Sequence, residues 1–378
     1  MTKKKRVLFL GAGASVPFGL PLTRDILALI LKRIQQKTLL QGMIDVCFTE
    51  AHFDALLGFL RKIIPGLPTE GKNLPSITLV LSLVDQFIAS NQTPWPEMPP
   101  QEVRLMRSLL EFAIVRVLDV PKQKGEALRE RLISWVDRLV AQGEKLVFIT
   151  TNYDMVADSI VNSWLRRKTG PGNSEVDFGL TWRDVHEEVD RLNPPPAGAS
   201  ITILKLHGAM NWLKCTLCEQ IYINSRYSII ERAFQTQSDP DNSCWCGHDR
   251  LTPVLVTPSL IRDIRETNLM AVWRQALEDL RTADEWIMVG YSLPSEDIAI
   301  QSLLVRAMNG RGLKTCYRPA PRVTVVQHGD KEKEQYGFFF PGHSYHADGF
   351  EQFVHEQLVP EIQGHGSVGP GTSPTAGD

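Results

Sequence analysis

Val7-Leu8-Phe9-Leu10-Gly11-Ala12-Gly13-Ala14-Ser15 is the stretch on which the fold turns. An apolar run that breaks on small residues predicts a short buried strand, a tight turn and then a helix. Such a turn presents backbone N–H groups at a helix mouth, where orphan donors and the helix dipole suit a pyrophosphate. The usual dinucleotide fingerprint also needs a third glycine at its sixth position and an acidic residue about 20 residues further on. Val16 stands at that sixth position, and Thr23 to Gln36 reads as a helix with Ile26, Leu29, Ile30 and Ile34 on one face. Hydride transfer therefore loses both of its supports.

Working outward, four more apolar runs read as buried parallel strands: Lys145–Thr150, Ile201–Leu206, Trp286–Gly290 and Arg322–Gln327. Helical patterns such as Glu126–Leu139 and Leu269–Arg281 lie between several of them. Strands alternating with helices predict an α/β, doubly wound, Rossmann-like parallel sheet, with ligands at the C-terminal strand ends. Two segments interrupt it. Residues 25–140 carry helical spacing, as at Phe53, Leu56, Leu57 and Leu60, and four prolines within Asn91–Pro100 split that insertion in two. Residues 209–253 hold a cysteine cluster, read as a small metal-binding module. The Rossmann-like part thus comprises 1–24, 141–208 and 254–363, and the Gly/Ser/Pro/Thr-rich 364–378 reads as a disordered tail.

The chain has 378 residues, is 43% hydrophobic and carries a net charge of −2. That balance offers no electrostatic footprint for a nucleic-acid backbone. Lys3-Lys4-Lys5-Arg6 reads as a solvated lead-in to the first strand. No apolar run approaches the roughly 18 residues of a membrane span, and the N-terminus does not resemble a signal peptide. A cytoplasmic protein is the expectation. Of six cysteines, Cys47 and Cys316 stand alone as ordinary thiols, and four bunch between 215 and 246. Cys215-Thr-Leu-Cys218 followed by Cys244-Trp-Cys246 predicts a four-thiolate structural zinc site, with His248 as a possible substitute ligand.

Polar clusters sit where the apolar strands end: Thr150-Thr151-Asn152-Tyr153-Asp154, Lys205-Leu206-His207-Gly208 and Gly290-Tyr291-Ser292-Leu293-Pro294. Singly, each has a plain explanation, since Asn and Asp form turns and caps and a His before Gly is commonly structural. Together with the glycine turn they mark four strand ends on one crevice. Glu296 and Asp297 read only as caps of the next helix.

The glycine turn, continued through Val16-Pro17-Phe18-Gly19-Leu20-Pro21-Leu22-Thr23-Arg24, resembles the first motif of the Sir2 (sirtuin) family. Asn152 and Asp154 match its Asn-x-Asp motif, His207-Gly208 its His-Gly motif, and Gly290 with Ser292 its Gly-x-Ser motif. The cysteines begin eight residues after His207, where that family's zinc module begins. Thr-Thr-Asn-Tyr-Asp and Gly-Tyr-Ser-Leu-Pro look similar to the divergent prokaryotic branch, whose members often hydrolyse NAD in anti-phage defence.

The resemblance implies NAD as substrate, zinc as structural metal, and Asn152, His207 and Asp154 as catalytic residues. Gly11, Ala12, Gly13, Ser15, Arg24, Gly290, Ser292 and Asp330 are the implied NAD contacts. The chemistry suits those residue types. Cleaving the nicotinamide–ribose bond builds positive charge on the sugar, as in other glycosyl transfers. Asn152 can fix a water or ribose hydroxyl without adding charge, His207 can accept a proton near neutrality, and Asp154 can support the cation or hold the carboxamide. One departure bears on the outcome: Leu22-Thr23 replaces the sirtuin Asp-Phe whose ring covers the nicotinamide site. A less shielded intermediate favours water as acceptor. The expected activity is NAD hydrolysis to nicotinamide and ADP-ribose, with an NAD-dependent deacylase or a non-catalytic NAD sensor as alternatives. A homo-oligomer or a complex with a separate sensor protein is expected through the helical insertion.

Overall fold

The computed structural model describes residues 4–68, 74–119, 124–169, 176–185, 191–235, 243–248, 250–260, 267–310 and 319–358. The tail at 364–378 and Cys316 lie outside the described residues. The strands are β1 Lys5–Leu10, β2 Lys145–Thr150, β3 Val176–Asp177, β4 Trp182–Asp184, β5 Ile201–Lys205 and β6 Gly208–Cys215. They continue with β7 Ile221–Ile223, β8 Leu251–Leu255, β9 Glu285–Val289, β10 Arg322–Val326 and β11 Ser344–His346.

Seven strands form one sheet in the order β11-β10-β9-β1-β2-β5-β3, and every pairing in it is parallel. All five strands expected from apolar runs lie in this sheet. Their runs are continuous because both faces are covered: Val7, Val147 and Trp286 on one face and Leu8, Phe148 and Ile287 on the other are all buried. β1 is central, with β2 and β5 added to one side and β9 and β10 to the other. The chain therefore reverses its direction of growth between β1 and β9, the switch point where such sheets open a ligand crevice at their carboxyl ends.

At the opposite end, Lys5 and Arg6 of the basic lead-in are ion-paired rather than solvated, Lys4 is exposed, and Lys3 lies outside the described residues. Lys5 Nζ lies 2.7 Å from Asp279, Arg6 Nε 2.6 Å from Glu144, and buried Glu285 takes both Arg6 and Arg322. Burial of Asp279 and Glu285 draws the cations in, because an unpaired carboxylate there would be costly.

The helical segment contains α1 Ile26–Gln35, α2 Glu50–Ile63, α3 Ile77–Ala89 and α4 Pro100–Leu118. Pro99 and Pro100 start α4 at its cap and first turn, where a missing N–H removes no helical bond. α5 Glu126–Ala141 packs elsewhere, although its pattern reads as part of the insertion. Its Leu128, Leu132, Trp135 and Val136 join the sheet's own core, whereas Ile26, Leu27, Ile30 and Ile34 of α1 join the core of α2–α4. Periodicity marks an apolar face and leaves its partner open.

α6 Val156–Thr169, α7 Thr267–Thr282, α8 Ile298–Asn309, α9 Lys333–Phe339 and α10 Gly349–Phe353 complete the described helices. A second sheet, β4-β7-β6-β8, carries the cysteines. It recruits Trp182–Asp184 from outside the expected 209–253 module, and its own Met210, with Ile230 and Phe234 beside it, packs into the helical core. No single helix among the described residues is long and apolar enough to cross a membrane.

Candidate active site at the sheet switch point

The turns after β1 and β9 touch through their backbones. Gly11 N–H donates to Val289 O at 2.9 Å, and Gly13 N–H to Gly290 O at 2.9 Å. A Cβ on Gly11 would fall 2.5 Å from Tyr291 Cα, and one on Gly290 (φ +61°) would fall 2.2 Å from Ala14 N. These glycines are needed for close approach of two strand-end turns. The amides of Gly11 and Gly13 are accordingly committed to the β9 turn and do not form the anion cradle expected of them. That correction could not come from the turn alone, since its partner lies at the far end of the chain.

Asn152 meets this junction from β2. Its Nδ2 donates to Gly11 O at 2.8 Å and to Ser15 Oγ at 3.0 Å. The carbonyl partner sets the orientation of the amide, so Oδ1 is the end left to address a ligand. Ser15 Oγ in turn donates to Asp154 Oδ2 at 2.6 Å. Its proton is thereby engaged, and as a phosphate donor Ser15 would first have to release Asp154. Asp154 Oδ1 accepts the Val156 N–H at 2.9 Å, capping α6. Both carboxylate oxygens thus hold protein groups, which makes Asp154 an anchor of the Ser15–Asn152 chain.

Burial pushes the Asp154 carboxyl above the usual range, against the opposing pull of Ser15, the Val156 N–H and the Lys205 charge. A raised value means that the folded chain holds this proton where the unfolded chain has lost it. Stability from this group therefore falls as pH rises through that window. Asp154→Asn lacks the titration, so its melting temperature relative to the wild type is expected to climb from pH 4 to pH 7. Thermal melts across that range check it, and a gap independent of pH contradicts it.

His207 follows β5 and is 5% exposed. Its Nδ1 lies 3.2 Å from Thr151 O, and a carbonyl can only accept, so Nδ1 carries the proton. In the neutral ring Nε2 then carries the lone pair, the tautomer that a general base requires. Thr151 is the neighbour of Asn152, so one turn orients both side chains. The Trp273 indole, from α7, stands 6.4 Å from the imidazole centroid and donates to Leu206 O at 2.8 Å. After β8, Val256 N–H donates to His207 O at 2.8 Å while Tyr153 OH donates to Val256 O at 2.7 Å.

The structure thus gathers Gly11, Gly13, Ser15, Asn152, Asp154, His207 and Gly290 at one place. Arg24, Ser292 and Asp330 are not tied into that cluster. All three are exposed, with Arg24 3.9 Å from Asp25 and Asp330 3.8 Å from Lys333. Ala12, half-buried in the turn, stays beside it. Asp297 occupies the cap position of α8 as expected, yet its carboxylate accepts the buried Tyr291 hydroxyl at 3.0 Å and not the helix amides. Sequence reasoning gives no role to Lys205, Asn211 or Asp158, which are buried behind the site. A lysine ending a strand buried on both faces is the signal that could have found them.

The cysteine module fits a metal. Cys215, Cys218, Cys244 and Cys246 place their sulfurs within 4.8 Å of one another. Cys215 and Cys246 are 3.6 Å apart, Cys218 and Cys244 3.4 Å. Tetrahedral zinc with bonds of about 2.3 Å needs sulfurs about 3.8 Å apart. The Leu217 N–H and Tyr222 OH point at Cys215 and Cys244, the donors a thiolate pair would use. His248 Nε2 instead lies 3.0 Å from Thr216 Oγ1, so the four-sulfur set leaves it outside. Four protein ligands leave no open position, so the metal would support structure only. Metal analysis of the purified chain is expected to give one zinc per chain. Cys218→Ser should lose it and lower the melting temperature, and a metal-free wild type would remove the assignment.

No family model matches the chain, and no curated protein matches it. Solved structures do resemble it. A structure described as the basis for the mechanism and regulation of Sir2 enzymes shares 16% identity over 94% of this chain and 92% of that one, with a TM-score of 0.42. A Sir2 homologue in complex with NAD shares 13% over 95% and 92%, with a TM-score of 0.41. A triple mutant of Sir2 homologues with 2'-O-acetyl ADP ribose shares 14% over 94% and 91%, with a TM-score of 0.42. The similarity to Sir2 enzymes spans nearly the whole chain. At these scores it carries no weight for residue roles or activity.

Proposed function

We propose that this chain hydrolyses NAD at the bond between nicotinamide and ribose, releasing nicotinamide and ADP-ribose. The observation that carries the proposal is the single turn Thr150–Asp154, which anchors the Asn152 amide on the glycine junction and sets the His207 tautomer. In this reading the Asn152 Oδ1 accepts a hydrogen bond from the attacking water and so directs its lone pair. His207 Nε2 takes the proton released as the water adds to the anomeric carbon. Nicotinamide departs as a neutral base, so no acid is needed for it. Asp154 acts through Ser15 by holding the Asn152 amide in place.

Water is the favoured acceptor because Leu22-Thr23 supplies no aromatic cover in the turn leading to α1. The resemblance of these motifs to the prokaryotic Sir2-like branch extends the proposal to an NAD-depleting effector of anti-phage defence, controlled by assembly or a separate partner. Chromatography of NAD incubated with the purified chain, alone and with its neighbouring gene products, tests the reaction. Nicotinamide and ADP-ribose in equal amounts are expected. Consumption only in the presence of an acyl-lysine peptide would replace hydrolysis with deacylation, and binding without turnover would make the protein a sensor.

A further inference from the structure

Lys205, the last residue of β5, is completely buried. Its ammonium donates to Asp154 O at 2.9 Å and to Asn211 Oδ1 at 3.2 Å, and forms an ion pair with Asp158 Oδ2 at 2.6 Å. Asn211, also fully buried, closes the cluster by donating to Asp158 Oδ1 at 3.1 Å and to Asn224 O at 2.7 Å. Four elements meet on this one group. Asp154 belongs to the turn after β2, Asp158 to α6, Asn211 to β6, and Lys205 itself to β5.

A buried ion pair is a poor source of stability, because desolvation of both charges roughly cancels their attraction and an apolar set of equal volume does as well. What it supplies is direction. Two hydrogen bonds and one buried ion pair hold three partners in places that packed methyl groups do not specify. Two of those partners lie on the segments that carry the site. The Asp154 carbonyl closes the turn bearing Asn152, and Asn211 lies on the strand that starts directly after His207. Lys205 touches neither the crevice side of Asn152 nor the imidazole through any of these bonds.

Resting on the proposed hydrolysis, we propose that Lys205 is the positioning residue of this site, holding the Asn152–Asp154 turn and the His207 strand in mutual register from behind. Asp158 keeps the ammonium in place and Asn211 transmits its position to β6.

The test separates positioning from simple charge pairing. Lys205→Met alone strands the Asp158 charge and is expected to destabilise the chain, so it serves as the reference. Lys205→Met/Asp158→Asn removes both charges and is expected to recover most of the lost melting temperature. Its kcat for NAD should still stand at least tenfold below wild type, with KM within about twofold. Native-state amide exchange should quicken at least tenfold at Asn152 and Val156, whose N–H groups hold the turn, and stay unchanged at Val7–Phe9 of β1. Recovery of kcat and of turn protection together with stability would overturn the proposal and leave Lys205 a counter-ion for Asp158.

If the double variant does not fold, Asn211→Ser keeps the ion pair and reads the β6 arm alone. Slower turnover with faster exchange at 208–211 supports the coupling, and wild-type values for both overturn it. A wild type that never cleaves NAD would sink the hydrolase reading, whereas the exchange measurements would still decide what Lys205 holds.

Discussion

His207→Ala is expected to lower NAD turnover by roughly 10²- to 10⁴-fold, the range typical for loss of a general base. The same order of loss is expected for Asn152→Ala, which removes the acceptor oxygen proposed to direct water. The two act on one step, so the double variant should lose little beyond the worse single one. Stability offers the control. His207 bonds Thr151 O at 3.2 Å and packs near Trp273, so its loss leaves a modest cavity. Asn152 joins two turns, and its removal leaves Gly11 O and Ser15 Oγ short of a donor. Asn152→Ala should therefore melt lower than His207→Ala while both remain folded. Turnover by His207→Ala equal to wild type, under conditions where the wild type is active, would remove the assignment.

Gly290→Ala carries the largest expected effect on the fold. The motif Gly290-Tyr291-Ser292 reads from sequence as a nucleotide contact, but the structure gives Gly290 a steric task. Its φ of +61° alone costs an alanine about 1–2 kcal/mol. The added Cβ would also meet Ala14 N at 2.2 Å and Gly13 C at 2.4 Å, both backbone atoms that cannot swing aside. The turns after β1 and β9 would have to separate, breaking the Gly11–Val289 and Gly13–Gly290 bonds. A loss of about 4 kcal/mol or more is expected, which in a chain of this size lowers the melting temperature by roughly 5 °C or more.

Gly58→Ala is the matched control. Gly58 lies within α2, and a Cβ there meets nothing within 4 Å. It should stabilise the chain by about 0.5–1 kcal/mol. A Gly290→Ala protein that melts with the wild type would show that the two turns are not in contact, and the site geometry would fall with them.

The place of the site is legible in the amino-acid sequence because its signals are local. An apolar run that stops at Gly11, Thr150, Leu206 or Gly290 marks a strand end by itself, and polar residues at such ends stand out. Four cysteines in two close pairs likewise declare their cluster. The roles of individual groups are less legible. Ser15 and the Gly11 and Gly13 amides read as phosphate donors, and Asp154 as a support for the cation or a hold on the carboxamide, because their distant partners leave no mark on the neighbouring residues. Arg24 and Asp330, assigned by resemblance, stand exposed at the margin.

What the chain's residues determined unaided was the set of elements: five buried strands, a helical segment and a thiolate cluster, all written in periodicity and composition over a few neighbouring positions. Which strand lies beside which, that α5 covers the sheet while α1 leaves it, and that Lys205 finds Asp158 and Asn211, were settled only in three dimensions. The reason is physical. Secondary structure answers to contacts within a turn or two, whereas each of these partnerships closes a long loop, and a long loop closes only when the whole core makes the closure favourable.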